Sequence, residues 1–64
     1  MKAREMQYMH YDVNHWELSV GDHVKIHRQD QIYVIVKLTK ERRALIRERG
    51  NFKLIDCVKL KWVY

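Results

Sequence analysis

The stretch that most limits what this chain can fold into is residues 18–38, LSVGDHVKIHRQDQIYVIVKL. Val24 and Ile26 alternate with His23, Lys25 and His27. That is the period-2 pattern of a strand with one buried face. Residues 28–31 are polar and can turn, and residues 32–38 are mostly β-branched and apolar. A run of that kind suits a strand covered on both sides. Its alternation predicts an inner face of Ile32, Val34, Val36 and Leu38 and an outer face of Tyr33, Ile35 and Lys37. Ahead of the first strand, Gly21 can take the positive φ of a tight turn, and Asp22 can bond nearby backbone.

Past this pair of strands the pattern stays short and β-like. Residues 40–43 read as a charged turn, and Ala44-Leu45-Ile46-Arg47 as a third strand with Ala44 and Ile46 inward. A helix over 40–49 is the rival, with Thr39 as its cap and Gly50 as its stop. The apolar residues there are consecutive and none recurs a turn away, so such a helix has no stripe to bury. Gly50-Asn51 then reads as a hairpin turn into a fourth strand, Phe52 to Ile55. Leu54 and Ile55 cannot both face inward on a regular strand, which predicts a bulge or a strand end beside them. Residues 56–59 suit one 3₁₀ turn, Leu60 returns to the core, and residues 61–64 form a last strand that closes against the first.

Residues 1–17 admit two readings. Met6, Met9, Val13 and Trp16 follow helical spacing, while Tyr8, Tyr11, Val13, Asn14 and His15 are poor helix formers. Helix over 2–9 and strand over 7–13 are both open. The methionines and aromatics argue for a segment ordered by contact rather than a solvated tail. The chain thus divides into an N-terminal extension, 1–17, and a β domain, 18–64.

Leu18-x-Val20-Gly21-Asp22-x-Val24-x-Ile26, Tyr33-Val34-Ile35, Ala44-x-Ile46 and the closing Ile55, Leu60 and Val63 together resemble a small SH3-like barrel of the class that includes KOW-type domains. The resemblance covers residues 18–64 and implies a mainly β, five-stranded barrel with a short 3₁₀ turn before its last strand. The chain lacks the Ala-Leu-Tyr-Asp-Tyr-like start and acidic loops of proline-binding SH3 domains.

Sixty-four residues with one cysteine hold no disulfide framework. The lone Cys57 fits a reducing compartment, so the expected location is cytoplasmic. Neither a membrane span nor an apolar signal region is visible. His23 and His27 would lie about 13 Å apart along one strand, too far to share a metal. Cys57 reads as a structural thiol, its pKa lowered a little by Lys59 and Lys61. The chain shows no Gly-rich phosphate loop and no clustered catalytic acids. The expectation is a binding module that is no enzyme and takes no cofactor or metal.

Charge placement says more. Residues 1–36 hold four Lys/Arg and five Asp/Glu, giving −1, while residues 37–64 hold nine and three, giving +6. A basic half of that kind suggests a polyanionic partner. Arg42, Arg43, Arg47, Arg49 and Lys53 cluster around one expected hairpin, and guanidinium forks suit phosphate oxygens. Tyr33, Trp62 and Tyr64 can add base stacking. The leading reading is DNA or RNA binding through that hairpin. The alternative is a protein-interaction module, open to homodimerisation, that docks through Met6, Tyr8, Met9, Tyr11 and Trp16 or through a sheet edge.

Overall fold

The computed structural model describes residues 10–64. It contains five strands: β1 His23–Ile26, β2 Ile32–Leu38, β3 Arg43–Glu48, β4 Asn51–Asp56 and β5 Leu60–Trp62. A 3₁₀ turn, Cys57–Lys59, separates β4 from β5, and Leu60 is fully buried, both as expected. The strands form one antiparallel sheet in the order β4-β3-β2-β1-β5. The last strand pairs with the first, while β4 and β5 stand at the two edges, so hydrogen bonding leaves the sheet open rather than closed into a barrel. Among the described residues there is no α-helix. The helix considered over 40–49 is replaced by a turn and β3, in which Ala44 and Ile46 are fully buried.

The face of β2 differs from the expectation. Tyr33 and Ile35 are buried at 7% and 1% exposure, while Ile32, Val34 and Val36 are only half-buried. Because β2 is apolar on both sides, its own alternation does not say which side meets the core. Its neighbours decide. Val24 of β1 stands opposite Tyr33, and Ile46 of β3 opposite Ile35. Cross-strand partners share a face, so the two inward residues carry Tyr33 and Ile35 inward with them. The register then shifts between Ile35 and Lys37, after which Leu38 lies opposite Ala44. That bulge inserts one extra residue and exchanges the two sides of the strand. Leu38 consequently packs on the core as expected, although Ile32, Val34 and Val36 do not supply it.

Strand β4 needs no such irregularity. Its six pairs with β3 are continuous, placing Leu54 outward beside Leu45 and Ile55 inward beside Ala44. The bulge expected near Leu54 is absent from this ladder because Leu54 simply remains 54% exposed. The Glu48–Asn51 pair makes Arg49-Gly50 the hairpin loop, one residue earlier than expected. Arg49 (φ 58°), Arg42 (φ 62°) and Arg28 (φ 75°) carry the left-handed backbone of the three successive hairpin turns. Glycine or asparagine usually marks such positions.

Residues 10–18 are ordered by polar anchors that their composition does not advertise. Asp12 is 2% exposed. Its Oδ1 accepts the backbone N–H groups of Asn14 (2.9 Å) and Trp16 (2.8 Å), and its Oδ2 accepts that of Trp62 (2.7 Å). The same segment donates Val13 N–H to the Leu60 carbonyl at 2.8 Å. The outer edge of β5 is thereby covered, which removes one open template for unwanted strand pairing. Buried His10 donates from Nε2 to the Thr39 carbonyl at 2.6 Å, tying the segment to the end of β2. Leu18 enters the core alongside Val24, Tyr33, Ile35, Ala44, Ile46, Cys57 and Leu60.

Burial, reinforced by the Asp56 carboxylate, raises the Cys57 thiol from 9.0 to about 11. The small lowering expected from Lys59 and Lys61 is not what the fold produces, because burial and Asp56 both push the thiol upwards. The raised value means that the fold favours the neutral thiol. That contribution is complete below pH 9.0 and is lost as the pH climbs towards 11. At about 1.4 kcal/mol for each pH unit, it is worth about 2–3 kcal/mol. The native thiol should therefore resist a disulfide reagent at neutral pH and react only as fast as the domain opens. Rapid stoichiometric labelling of folded protein at pH 7 would contradict this placement.

Candidate nucleic-acid interface

The pairing registers fix which side chains share the sheet face that points away from the core. Phe52 stands opposite Arg47, Arg47 opposite Val34, and Val34 opposite His23, forming one row across β4, β3, β2 and β1. The row continues beyond β1 because the His23 ring stacks on Tyr64, with centroids 4.6 Å apart and planes 18° from parallel. The Tyr64 backbone is held independently of its ring, its carbonyl accepting from His23 N–H at 2.6 Å. Phe52 and Tyr64 are 57% and 66% exposed.

Rows on either side add charge. Towards the β1–β2 turn lie Ile32, Lys25 and Lys61, beside an open depression of about 340 Å³ that Asp30, Trp62 and Val63 also line. Towards the β2–β3 turn lie Lys37, Leu45 and Leu54, and beyond them Arg43 opposite Asp56. Arg43 Nε bonds Asp56 Oδ1 at 3.1 Å, a pair with both side chains about half exposed. Such a surface pair adds little stability. Lys25, Lys37, Arg43, Arg47 and Lys61 thus share a face whose strands contribute a single acid, Asp56.

The structure distributes the five expected hairpin cations differently. Arg43 and Arg47 do lie on the outward face of β3, with Leu45. Arg42 and Arg49 sit in the turns at opposite ends of that strand, and Arg49 lies 3.5 Å from Glu48. Lys53 pairs with inward Ile46, so it projects to the other side of the hairpin from Arg47. The expectation that Lys53 joins Arg47 across the turn fails because the two-residue loop puts Phe52, not Lys53, opposite Arg47.

Of the alternative docking residues, Met6, Tyr8 and Met9 lie outside the described residues. Tyr11 forms an isolated bridge with Glu17 and is half-buried. Trp16 is 59% exposed and packs against Trp62 with centroids 6.0 Å apart. Trp62 shares the inward parity of Leu60 and Val24, yet at the edge of the sheet it also lines the depression beside Lys25 and Lys61, so the tryptophan pair borders the basic face.

Residue-type reasoning did not place Phe52, His23, Lys25 or Lys61 in a nucleic-acid site. Their signal is the alternation of β1, β4 and β5, which becomes a surface only when the strand order is known. Among the described residues no group of three or more His, Cys, Asp or Glu is arranged to hold a metal ion. None of the helices is long and apolar enough to cross a membrane, among the same residues. Comparison with known proteins finds no matching family model, no matching curated protein and no matching solved structure, so a functional reading rests on the chemistry of this chain's own surface.

Proposed function

We propose that this protein is a small non-catalytic module that binds nucleic acid phosphates on the outward face of its sheet. The observation that carries the reading is the placement of Lys25, Lys37, Arg43, Arg47 and Lys61 on one face with Asp56 as the only acid its strands add. Arg47 stands at the centre of that face, is exposed, and forms no ion pair among the described residues. An unpaired guanidinium is ready to meet a phosphate in a bidentate fork. The strand order and the 3₁₀ turn before β5 support reading the domain as SH3-like. The lone buried thiol supports a cytoplasmic setting.

Fluorescence anisotropy with short labelled DNA and RNA at low salt tests this function. Three or four neutralised phosphates predict a log–log salt slope of roughly −2 to −4. Arg47→Glu should weaken binding about tenfold or more without moving the thermal midpoint, because Arg47 is exposed. No binding to either nucleic acid at low salt would overturn the proposal. The exposed Trp16–Trp62 pair favours protein docking as the second reading. That reading predicts a complex that withstands salt and is lost on Trp16→Ala.

A further inference from the structure

A face built only to meet phosphate needs cations and no exposed rings. This one carries rings at both ends of its central row. Phe52 on β4 and Tyr64 beyond β1 flank Arg47 and Val34. Strands lie about 4.8 Å apart, so three steps from β4 to β1 put His23 roughly 15 Å from Phe52, and the Tyr64 ring stacks 4.6 Å from that of His23. That span suits a few successive nucleotides running across the strands.

Each ring is exposed for a physical reason. Phe52 alternates with inward Lys53 on an edge strand, and the hairpin register leaves it on the solvated side. Tyr64 lies flat against the His23 ring, which covers one of its faces and leaves the residue two-thirds exposed. A ring held in place by a stacked neighbour loses little further freedom when a base settles on it. The Tyr64 position is therefore a preorganised platform, while Phe52 is fixed only by its place in the β4 ladder.

Resting on the phosphate-binding reading above, we propose that the ligand is single-stranded nucleic acid, its bases stacked on Phe52 and on the His23–Tyr64 pair and its phosphates held by Arg47, Lys25 and Lys61. A duplex hides the faces of its bases and offers only its backbone to such a surface. A single strand presents both, and base–aromatic stacking tolerates any sequence because every base has a π face. The hydrophobic outward neighbours, Val34 and Leu45, give the intervening base apolar surface rather than a competing hydrogen bond.

The test compares four labelled probes of equal length at one low salt concentration: a mixed-sequence DNA single strand, the same sequence in RNA, the DNA duplex, and an abasic DNA backbone. The wild type should bind at least one of the two single strands about tenfold or more tighter than the duplex or the abasic backbone. The ratio of the DNA and RNA affinities then identifies the natural class. Phe52→Ala and Tyr64→Ala should each weaken single-strand binding about five- to a hundred-fold. Both should leave the weak duplex and abasic binding, and the thermal midpoint, unchanged. Tyr64→Phe keeps the stack and should bind like wild type. Equal affinity for all four probes, or indifference to both alanine variants, would overturn the stacking platform while leaving phosphate binding intact. Failure to bind any probe would remove both.

Discussion

Asp12→Ala is expected to cost about 3–5 kcal/mol of stability, although Asp12 lies outside the sheet. Its carboxylate is buried and accepts three backbone N–H groups, from Asn14, Trp16 and Trp62. Removing it leaves those donors without their acceptor, and each unsatisfied buried group costs about 1–3 kcal/mol. The three share one acceptor, so the individual costs do not simply add. Small domains commonly have only 5–15 kcal/mol in total, and a fall of this size would leave much of the chain unfolded. Asp12→Asn keeps one carbonyl acceptor and turns an amide N–H₂ towards another donor, so it should fall between wild type and alanine. Urea denaturation gives the comparison directly. An Asp12→Ala midpoint within error of wild type, at an unchanged slope, would show that the N-terminal segment does not depend on this carboxylate.

Ile35→Ala should be comparably damaging, at about 2–5 kcal/mol, because it empties a fully enclosed site facing Ile46. Val34→Ala and Val36→Ala should each cost about 1 kcal/mol or less, since both valines are half-buried on the outward side or at the bulge. The contrast matters more than either value. A strand register displaced by one residue would reverse the order, with the valines costly and Ile35 tolerant. Thermal melts of the three variants separate the two registers without further structural work.

The proposed surface depends on the same register. If Ile35 faces the core, Val34 faces solvent, and the row from Phe52 through Arg47 to His23 follows from the pairing. The stability series and the binding series thus test one geometry by independent readouts. Arg47→Glu changes charge on a side chain that contributes nothing to the core. Ile35→Ala changes the core and leaves the charged face alone.

Much of the β architecture could be read from local sequence. The alternation at Val24 and Ile26, the positive φ at Gly21, the inward Ala44 and Ile46, and the return of Leu60 after a 3₁₀ turn are local choices. Periodicity and turn chemistry report such choices within a few residues. The three hairpin turns were less distinct because arginines occupy their left-handed positions. Which side of β2 is inward, which side of the hairpin carries Lys53, and what holds residues 10–18 in place were settled only by tertiary contacts. A strand apolar on both faces takes its parity from its neighbours, and a single bulge reverses it within one element. Lys53 follows the length of the loop before it. Asp12 looks like any turn aspartate until Trp62, fifty residues away, brings its N–H to the same carboxylate. Each is set by pairing between distant segments, and a side chain's chemical type carries no record of the partner that folding brings to it.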